Sequence, residues 1–366
     1  MNGSNTWPRE FDKLMHCKTC LILSMRHLGD AVITSEFINA LNRYNPDIDI
    51  DVLGRPEMET VTASFCNFRK YISINLPIFG HHKKGIKELT SAFHQLLQVR
   101  RHRYSCCINL VGDIRENLIG KLVGAEDNIA PIWDNASLFR KHIRNTGAHW
   151  LLDYGVRIPS ELSNMYDSLE FFSIQLGVQQ LERIKDSMPA KSTNPVPVIA
   201  IHPGASQPSK RWLPEKWRAV IRRLHADGKK IILLGSPSER SGLFDAFNDE
   251  IKNFSLDVVT ESLPIVLDSL SKSDILVGMD SFSVHAAHAL GIPVIVLHGP
   301  FDPAVMTPPG GIPLSSGNMC KVFPCYNKPS CRGTEYEYIC IRGIEVNAVV
   351  NAIETQLLTA CICNDE

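Results

Sequence analysis

The sequence predicts two α/β domains, each built on a parallel β-sheet. The chain has 366 residues, too many for one ordinary hydrophobic core and a good fit to two domains of common size. Short segments rich in valine and isoleucine alternate with amphipathic stretches of helix length, the order expected of βαβ units. The proline-rich stretch SMPAKSTNPVP at 187–197 interrupts this order. We therefore expect a first domain over 1–186, a linker over 187–197 and a second domain over 198–345.

In the first half of the chain, strands and helices alternate at close intervals. TCLILS at 19–24 has the apolar character of a buried strand. A later segment repeats apolar residues at helical intervals, which predicts a helix. They are Ile86, Leu89, Phe93, Leu96 and Leu97. The predicted strands cover 19–24, 49–53, 71–76 and 106–111, and the predicted helices cover 30–44 and 86–99.

The second half repeats this alternation after the proline-rich stretch. A last helix is expected over 346–366, packing back on the first domain. Two such arrays predict Rossmann-like domains whose parallel sheets face each other across a cleft. The ligand is then expected in that cleft, at the carboxyl ends of the strands. The predicted strands cover 198–201, 230–234, 274–277 and 294–297, and the first helix covers 214–226.

Composition and charge exclude several classes of protein. The chain is 44% apolar and 21% charged, as in globular rather than disordered proteins. Its formal net charge of -1 provides no overall field for recruiting nucleic acid or an anionic membrane. No apolar run approaches the roughly 18 residues of a membrane-spanning helix, and the polar N-terminus lacks the apolar centre of a signal peptide. We expect a cytoplasmic protein without nucleic acid partners, with peripheral membrane contact left open.

The first candidate motif, SMRHLGD at 24–30, follows the first predicted strand. Gly29 permits a tight turn at the end of that strand. Asp30 is then placed at the start of the next helix, facing the expected cleft, where a carboxylate could act on a bound ligand. The alternative is that Asp30 serves only as an N-cap, since aspartate stabilises the first turn of a helix well.

The second candidate motif, HPGASQPSKRW at 202–212, is a loop of small residues after the first strand of the second half. Small residues such as Ser206 and Ser209 let backbone amides approach an anion, and Lys210 adds a mobile positive charge. The G-x-x-x-x-G-K spacing of a Walker loop is missing. An ordinary loop with a solvated lysine and arginine is the alternative.

The third candidate motif, GMDSFSVHAAHALG at 278–291, runs from a strand end into a helix that begins near Ser281. The free amides of a helix start form an anion site suited to a pyrophosphate. His285 and His288 lie three residues apart on one helix face, without a carboxylate at a partner position. We therefore expect packing and hydrogen bonding from this pair rather than a metal site.

A shorter segment, GSPSE at 235–239, follows the next strand. An acidic residue at a strand end can accept both hydroxyl groups of a ribose, as in dinucleotide-binding folds. Glu239 is therefore a candidate nucleotide-binding residue. No G-x-G-x-x-G segment follows the first strand of either half, which excludes a Rossmann dehydrogenase.

In this order, the four motifs resemble the heptosyltransferases of glycosyltransferase family 9, which build the inner core of lipopolysaccharide. The resemblance extends from about the first strand to the final helix. It implies a GT-B fold, an inverting mechanism without metal at the reaction centre, and ADP-heptose as the donor. The implied acceptor is a hydroxyl group of a lipopolysaccharide core or a related glycan. The matching segments are RHLGDAVIT at 26–34, HPGASQPSKRW at 202–212, GSPSE at 235–239 and DSFSVHAAHALGIPVIVLHGP at 280–300.

The resemblance also implies roles for single residues. Asp30 matches the general base that deprotonates the acceptor hydroxyl. Lys210 matches the lysine that contacts the donor phosphates, and Glu239 matches a ribose-binding glutamate. Asp280 and Ser281 match the turn that holds the pyrophosphate and the sugar, where charge on the leaving ADP is stabilised. The other residues expected around the donor are Gly29, Ser206, Ser209, Phe282 and His285.

Phe282 departs from the family pattern, because members commonly carry glycine at this place in the turn. A bulky side chain here either points away from the diphosphate or reshapes the sugar pocket. The identity of the donor sugar is therefore in question more than the phosphate site. Two basic clusters, at 83–84 and 100–103, could meet anionic groups of the acceptor, and solvated helix ends are the alternative.

Four of the 11 cysteines cluster late in the chain with the spacing C-x4-C-x5-C-x8-C. Four thiolates could bind zinc or iron in a closed structural site. Free thiols in a reducing cytoplasm are the alternative, with disulfides forming after isolation. Catalysis itself is expected to need no cofactor. The four residues are Cys320, Cys325, Cys331 and Cys340.

Three alternatives to a heptosyltransferase acting on a glycan stay open at this point. The acceptor could be a serine or threonine of a protein, or the donor could be another nucleotide sugar. The chain could also be a catalytically silent GT-B protein that binds a nucleotide or a glycan. The joint presence of Asp30, Lys210, Glu239 and Asp280 argues against a silent protein, which has no need of all four.

Overall fold

The structure, a computed structural model, describes residues 12–76, 86–133, 148–178, 181, 195–326 and 329–362. The chain divides into two compact units, Met1–Glu182 and Arg183–Glu366. Residues 187–194 of the predicted linker and the basic cluster at 83–84 lie outside the described residues. None of the helices in the described residues has both the length and the apolar character needed to span a membrane.

The first unit contains a six-stranded parallel sheet in the order β3-β2-β1-β4-β5-β6. The first strand therefore lies at the centre, between the second and the fourth. Its register with both neighbours is regular, with Ile22 opposite Val52 on one side and Ile108 on the other. The strands are β1 Thr19–Ser24, β2 Asp49–Gly54, β3 Lys70–Ser73, β4 Cys106–Asn109, β5 Asp127–Trp133 and β6 Tyr154–Ile158.

Two hydrophobic clusters fill the first unit, one on each face of the sheet. Ile22 of β1 belongs to one cluster, and its neighbours Leu21 and Leu23 belong to the other, because side chains alternate along a strand. Helices cover both faces, which explains why β1 is almost continuously apolar. The helices are α1 Leu28–Tyr44, α2 Glu59–Phe65, α3 Ile86–Arg100, α4 Ile114–Val123 and α5 Met165–Gln175.

Helix α3 confirms the helix predicted over 86–99 and buries one of its faces. Ala92, Leu96 and Val99 are buried, whereas Phe93 and Leu97 are 48% and 41% exposed. The buried residues are four and three positions apart, as on one face of a helix. Of the apolar residues at helical spacing, Leu96 lies on this face, whereas Phe93 and Leu97 lie outside it.

The second unit repeats the topology of the first. Its six parallel strands lie in the order β12-β11-β10-β7-β8-β9, so that the first and fourth strands of the unit, β7 and β10, are again neighbours. Ligands of such sheets bind beyond the carboxyl ends of these two strands, where the chain crosses to opposite faces. The strands are β7 Val198–His202, β8 Lys230–Leu234, β9 Asp257–Val259, β10 Ile275–Met279, β11 Val294–Leu297 and β12 Ile312–Leu314.

The C-terminal helix packs within the second unit. Val349, Val350 and Ile353 are fully buried in the hydrophobic core of this unit, together with Val220 and Ile221. This differs from the separate segment expected over 346–366, because the core of the second unit already covers the apolar side of the helix. The helices of the unit are α6 Pro214–Ala226, α7 Arg240–Phe254, α8 Leu263–Ser271, α9 Phe282–Ala289, α10 Pro303–Met306, α11 Ile339–Arg342 and α12 Val346–Ile362.

Candidate active site

Asp30 lies in the first turn of helix α1, after the central strand of the first unit. The N-cap of this helix is His27, and Asp30 is the third helical residue. Asp30 Oδ2 accepts a hydrogen bond of 3.0 Å from the backbone N–H of His27, which closes a capping box. Gly29 belongs to the same helical turn rather than to a tight turn at the strand end, which corrects its expected role. Asp30 therefore stabilises the helix start without being the N-cap.

A buried ion cluster lies beside this turn. Arg26 Nη2 donates to Asp113 Oδ2 at 2.6 Å, and Arg26 Nε lies 3.6 Å from Glu116 Oε2. Asp113 is the N-cap of α4 and accepts from the backbone N–H of Arg115 at 2.8 Å, while Arg115 Nη2 lies 2.9 Å from Asp113 Oδ2. The cluster connects the turn after β1 to the turn after β4. Sequence reasoning missed it because Arg26 and Asp113 are far apart along the chain.

The two carboxyl groups of this cluster differ in their affinity for protons. Burial raises the pKa of Glu116 to about 7, and the negative charges of Asp113 and Asp30 act in the same direction, whereas the positive charge of Arg26 lowers it. Burial also acts to raise the pKa of Asp113, but hydrogen bonds from Arg115 and the charge of Arg26 outweigh it and lower the pKa. At neutral pH Asp113 is therefore ionised, while Glu116 is close to its midpoint.

The loop after β7 is anchored to the core of the second unit. Trp212 is 3% exposed, and its Nε1 donates to the carbonyl oxygen of Ile344 at 3.2 Å. Arg211 Nε donates to the carbonyl oxygen of Ala205 at 2.7 Å, which links the two ends of the loop. These contacts hold the loop against the core. Of the lysine and arginine expected to be solvated in the alternative, Arg211 is exposed, whereas Lys210 is only 14% exposed.

Within this loop, the residues predicted to surround the donor have different environments. Ser209 is buried, whereas Ser206 is exposed. Gly299, after β11, packs so closely on the loop that a Cβ atom there would collide with the carbonyl oxygen of Ser209. Gly299 is therefore a residue that shapes the loop, and it was not recognised from the sequence.

Lys210 and Asp280 form a buried ion pair at the start of helix α9. Lys210 Nζ donates to Asp280 Oδ2 at 2.8 Å and to the Asp280 carbonyl oxygen at 3.2 Å, and the two side chains are 14% and 4% exposed. Lys210 Nζ also lies 3.9 Å from the ring centroid of Phe301, a cation–π contact that sequence reasoning missed. Burial acts to raise the pKa of Asp280, but the charge of Lys210 outweighs it and lowers the pKa.

The start of α9 carries a chain of polar contacts. Ser283 Oγ lies 2.8 Å from His202 Nδ1, and Ser281 Oγ lies 3.1 Å from Ser283 Oγ. Ser281 is the N-cap, and Phe282, half-buried, is the first helical residue. His285 is buried one turn further on, as expected of a packing residue. The turn thus brings backbone amides, hydroxyl groups and the ammonium group of Lys210 to one strand end.

Glu239 joins the same group of contacts from the neighbouring strand end. Its Oε2 accepts hydrogen bonds of 2.8 Å from Ser236 N and Ser236 Oγ, and His202 Nε2 lies 3.7 Å away. The neighbouring imidazole of His202 and the hydrogen bond from the amide of Ser236 lower the pKa of Glu239 to about 2 against the effect of burial. A Cβ atom on Gly204 would collide with the Glu239 carboxylate, so the loop backbone lies directly against it. His202 is a further site residue that the motifs did not single out.

The four clustered cysteines are free thiols. Burial raises the pKa of Cys340 to about 12 and also raises that of Cys325, and the neighbouring cysteines act in the same direction. Over the part of the chain that the structure describes, no three His, Cys, Asp or Glu side chains are placed to hold a metal ion. The four thiols lie near enough for their charges to interact, and metal binding by Cys320, Cys325, Cys331 and Cys340 stays a prediction.

Comparisons with known proteins agree with the motifs. The model of glycosyltransferase family 9 (heptosyltransferase) matches residues 94–335, more than half of the chain. The chain is 24% identical over 295 residues to lipopolysaccharide heptosyltransferase 3 of Escherichia coli, covering 76% of this chain and 82% of the relative. It is 29% identical over 309 residues to lipooligosaccharide heptosyltransferase 2 of Haemophilus influenzae, covering 79% and 85%.

A solved structure shares the fold. The E. coli heptosyltransferase WaaC with ADP-2-deoxy-2-fluoro heptose superposes on 92% of this chain and 99% of its own, with a TM-score of 0.67 at 17% identity. Two parallel α/β sheets and this likeness confirm the predicted GT-B fold.

Proposed function

Because the chain belongs to glycosyltransferase family 9, we propose that it transfers a heptosyl group from ADP-heptose to a hydroxyl group of a lipopolysaccharide core. Relatives named as lipopolysaccharide and lipooligosaccharide heptosyltransferases support the heptosyl group and the acceptor, and the heptosyltransferase solved with ADP-2-deoxy-2-fluoro heptose supports the nucleotide. We place the reaction at the cytoplasmic face of the membrane, where peripheral contact would bring the enzyme to a lipid-linked acceptor. The anomeric configuration is inverted in a single displacement.

The observation that carries the proposal is the buried Lys210–Asp280 pair at the start of α9. A helix start offers free amides and a partial positive charge to an anion, and Lys210 adds a full charge at the same place. We assign the diphosphate of the donor to this position. Asp280 holds the ammonium group beside the helix start, so the leaving ADP meets positive charge that is already in place.

The nucleoside is assigned to the strand end occupied by Glu239. Its Oε2 is engaged by Ser236, so Oε1 is the oxygen proposed to accept the ribose hydroxyl groups. Because the pKa of Glu239 is lowered to about 2, the group is an anionic acceptor throughout the neutral range. His202 connects this carboxylate to the serine hydroxyls at the start of α9 and so relates the ribose position to the diphosphate position.

Asp30 is the proposed general base. The acceptor oxygen forms a bond to the anomeric carbon, its proton passes to the Asp30 carboxylate, and the bond from the anomeric carbon to the phosphate oxygen breaks, with its electron pair leaving on ADP. Oδ2 of Asp30 is bonded to the backbone of His27, which fixes the orientation of the carboxylate and assigns proton uptake to Oδ1.

Calorimetric titration with ADP, UDP, GDP and ADP-heptose tests the donor. We expect binding of ADP and ADP-heptose and release of ADP when a lipopolysaccharide inner core is added. Tighter binding of UDP or GDP would show that the donor carries another nucleotide, with glycosyl transfer still the proposed activity. Binding without release of ADP would indicate another acceptor, such as a protein hydroxyl group. No nucleotide binding would indicate a silent protein.

A further inference from the structure

Glu116 is a buried carboxyl group that the reaction described above leaves without a role. It lies in the first turn of α4 and is 0% exposed. Neither of its side-chain oxygens has a hydrogen-bond partner in the described structure, and neither does Arg26 Nε, 3.6 Å from Oε2. A buried carboxylate without hydrogen bonds is destabilising, so packing alone does not explain why an ionisable side chain occupies this position.

The surroundings of Glu116 connect it to the candidate base. Arg26 stands four residues before Asp30, in the turn that also contains the His27 amide bonded to Asp30. The carbonyl oxygen of Arg26 accepts from Arg55 Nη1 at 2.9 Å, which holds the backbone of this turn. The guanidinium group of Arg26 then reaches Asp113 and Glu116 on α4. A change of charge on Glu116 therefore acts on the turn that carries the base.

We propose that Glu116 is a positioning residue for glycosyl transfer, whose ionised carboxylate pairs with Arg26 and holds the turn that orients Asp30. This inference rests on the proposed function, in which Asp30 takes the proton of the acceptor. The positive charge of Arg26 favours ionised Glu116, so the ion pair with Arg26 is complete only when Glu116 carries its charge.

Charged groups from three elements face Glu116. Arg26 comes from the turn after β1 and Asp30 from α1, while Asp113 and Arg115 stand beside it on α4. The two arginines favour the ionised form of Glu116, and burial and the two aspartates favour the neutral form. The pKa of Asp113 is lowered by Arg115 and Arg26, so Asp113 stays ionised near neutral pH. Glu116, with its pKa raised to about 7, is the group of this cluster that changes charge there.

The pH dependence of kcat tests this role. ADP release from ADP-heptose is followed with saturating lipopolysaccharide inner core for the wild-type protein, Glu116→Gln, Glu116→Asp and Glu250→Gln. The wild-type kcat should rise through an inflection near pH 7, because Glu116 ionises there. Glu116→Gln should lack the inflection, with kcat about three- to tenfold below wild type at alkaline pH and close to wild type at acidic pH.

Two variants serve as controls. Glu116→Asp keeps an ionisable group, so its profile should retain an inflection, and it stands in for Glu116→Gln should that variant fail to fold. Glu250 is a matched buried carboxylate in the second unit, 2% exposed and 2.6 Å from Arg222 Nη2. Glu250→Gln should keep the wild-type profile, because Glu250 is not part of the proposed site.

The outcomes separate this inference from the proposed function. A wild-type inflection in Glu116→Gln, or its absence from Glu116→Asp, would overturn the role of Glu116. Asp30→Asn is assayed in parallel. Loss of turnover in Asp30→Asn together with an unchanged profile in Glu116→Gln would remove Glu116 and leave the base in place. Full turnover in Asp30→Asn would remove the base and the inference with it.

Discussion

The two units place equivalent charged groups at equivalent positions of the same sheet topology. In the first unit, Arg26 after the first strand reaches Asp113 and Glu116 after the fourth. In the second, Lys210 after the first strand reaches Asp280 after the fourth. In both sheets these two strands are neighbours, so their carboxyl ends bring a cation and an anion together. The topology thus determines where a buried ion pair can form.

The two pairs differ in how their charges are balanced. Lys210 faces one buried carboxylate, and its charge lowers the pKa of Asp280. Arg26 faces two, and burial raises the pKa of Glu116 to about 7. The second unit therefore holds a fixed pattern of charge suited to a permanently anionic diphosphate, while the first holds a group that titrates near neutral pH. Asp280 accepts a hydrogen bond from Lys210, whereas the oxygens of Glu116 accept none, so burial determines the pKa of Glu116.

The largest effect is expected from a substitution of Asp30 in the first unit. It should lower turnover without changing the binding of ADP to the second unit. Asp30→Asn removes the proposed base but keeps an oxygen that can accept from the His27 amide. We expect turnover to fall by about 10²–10⁴-fold, with ADP affinity unchanged. Steady-state kinetics and calorimetry on the same preparation measure both. A variant with wild-type turnover would remove Asp30 from the mechanism.

The second prediction concerns Glu116 and the pH dependence of the free energy of unfolding. The pKa of Glu116 is about 7 in the folded protein against an ordinary 4.5. The unfolded chain binds fewer protons between these values, so the stabilising contribution is full below pH 4.5 and is lost as pH rises through 7. The free energy of unfolding should fall by on the order of 3 kcal/mol over this pH range, and this decrease should be absent from Glu116→Gln.

Urea unfolding of the full chain at acidic and alkaline pH measures this difference. Relative to wild type, Glu116→Gln should be more stable at alkaline pH than at acidic pH. Glu250→Gln serves as the comparison in the second unit. If the free energies of unfolding of Glu116→Gln and the wild-type protein differ by the same amount at both pH values, Glu116 does not titrate in this range.

The third prediction concerns the ion pair between Lys210 and Asp280. Lys210→Ala removes a charge from the proposed diphosphate site, and we expect ADP affinity to fall about 10–100-fold, the usual effect of losing a hydrogen bond to a charged group. The variant also leaves Asp280 buried without its partner, so its melting temperature should fall. Lys272→Ala, an exposed lysine of the same unit paired with Asp268, provides the control. Equal ADP affinity in both variants would contradict the assignment.

The smallest effect on activity is expected from alkylation of the cysteines. Their burial also differs between the two units. Cys17, Cys20, Cys106 and Cys107 are buried in the first unit, whereas Cys320, Cys325 and Cys331 are only half-buried in the second. Under native reducing conditions, alkylation followed by mass spectrometry should modify the second group first and leave activity unchanged. Protection of that group together with stoichiometric zinc or iron would instead support the metal hypothesis.

Elements with a clear apolar signal were predictable from the sequence. The predicted bounds of β1, α6, β8 and β11 agree with the structure because each is strongly apolar or amphipathic. The strand β5 was not predicted from the sequence. Asp127–Trp133 contains aspartate, asparagine and proline, residues that disfavour strands, and it forms one because β4 and β6 supply its hydrogen-bonding partners.

Recognition of the candidate site was limited in a similar way. The motifs around Asp30, Lys210 and Asp280 were visible because small and charged residues stand together at strand ends. Glu116 was invisible, because the sequence does not show that it is buried beside Arg26. Only the neighbouring placement of β1 and β4 brings these two residues together. Single residues that act through distant partners therefore require the structure.

The capping box at the start of α1 has a consequence for how the first unit can evolve. The same Asp30 carboxylate that is proposed to take a proton also holds the first turn of the helix through His27. A protonated carboxyl group is a weaker acceptor, so each catalytic cycle would loosen this turn and each deprotonation would restore it. Most replacements of Asp30 would harm folding and turnover together, which leaves this position little freedom to drift even in a descendant that no longer transfers sugars.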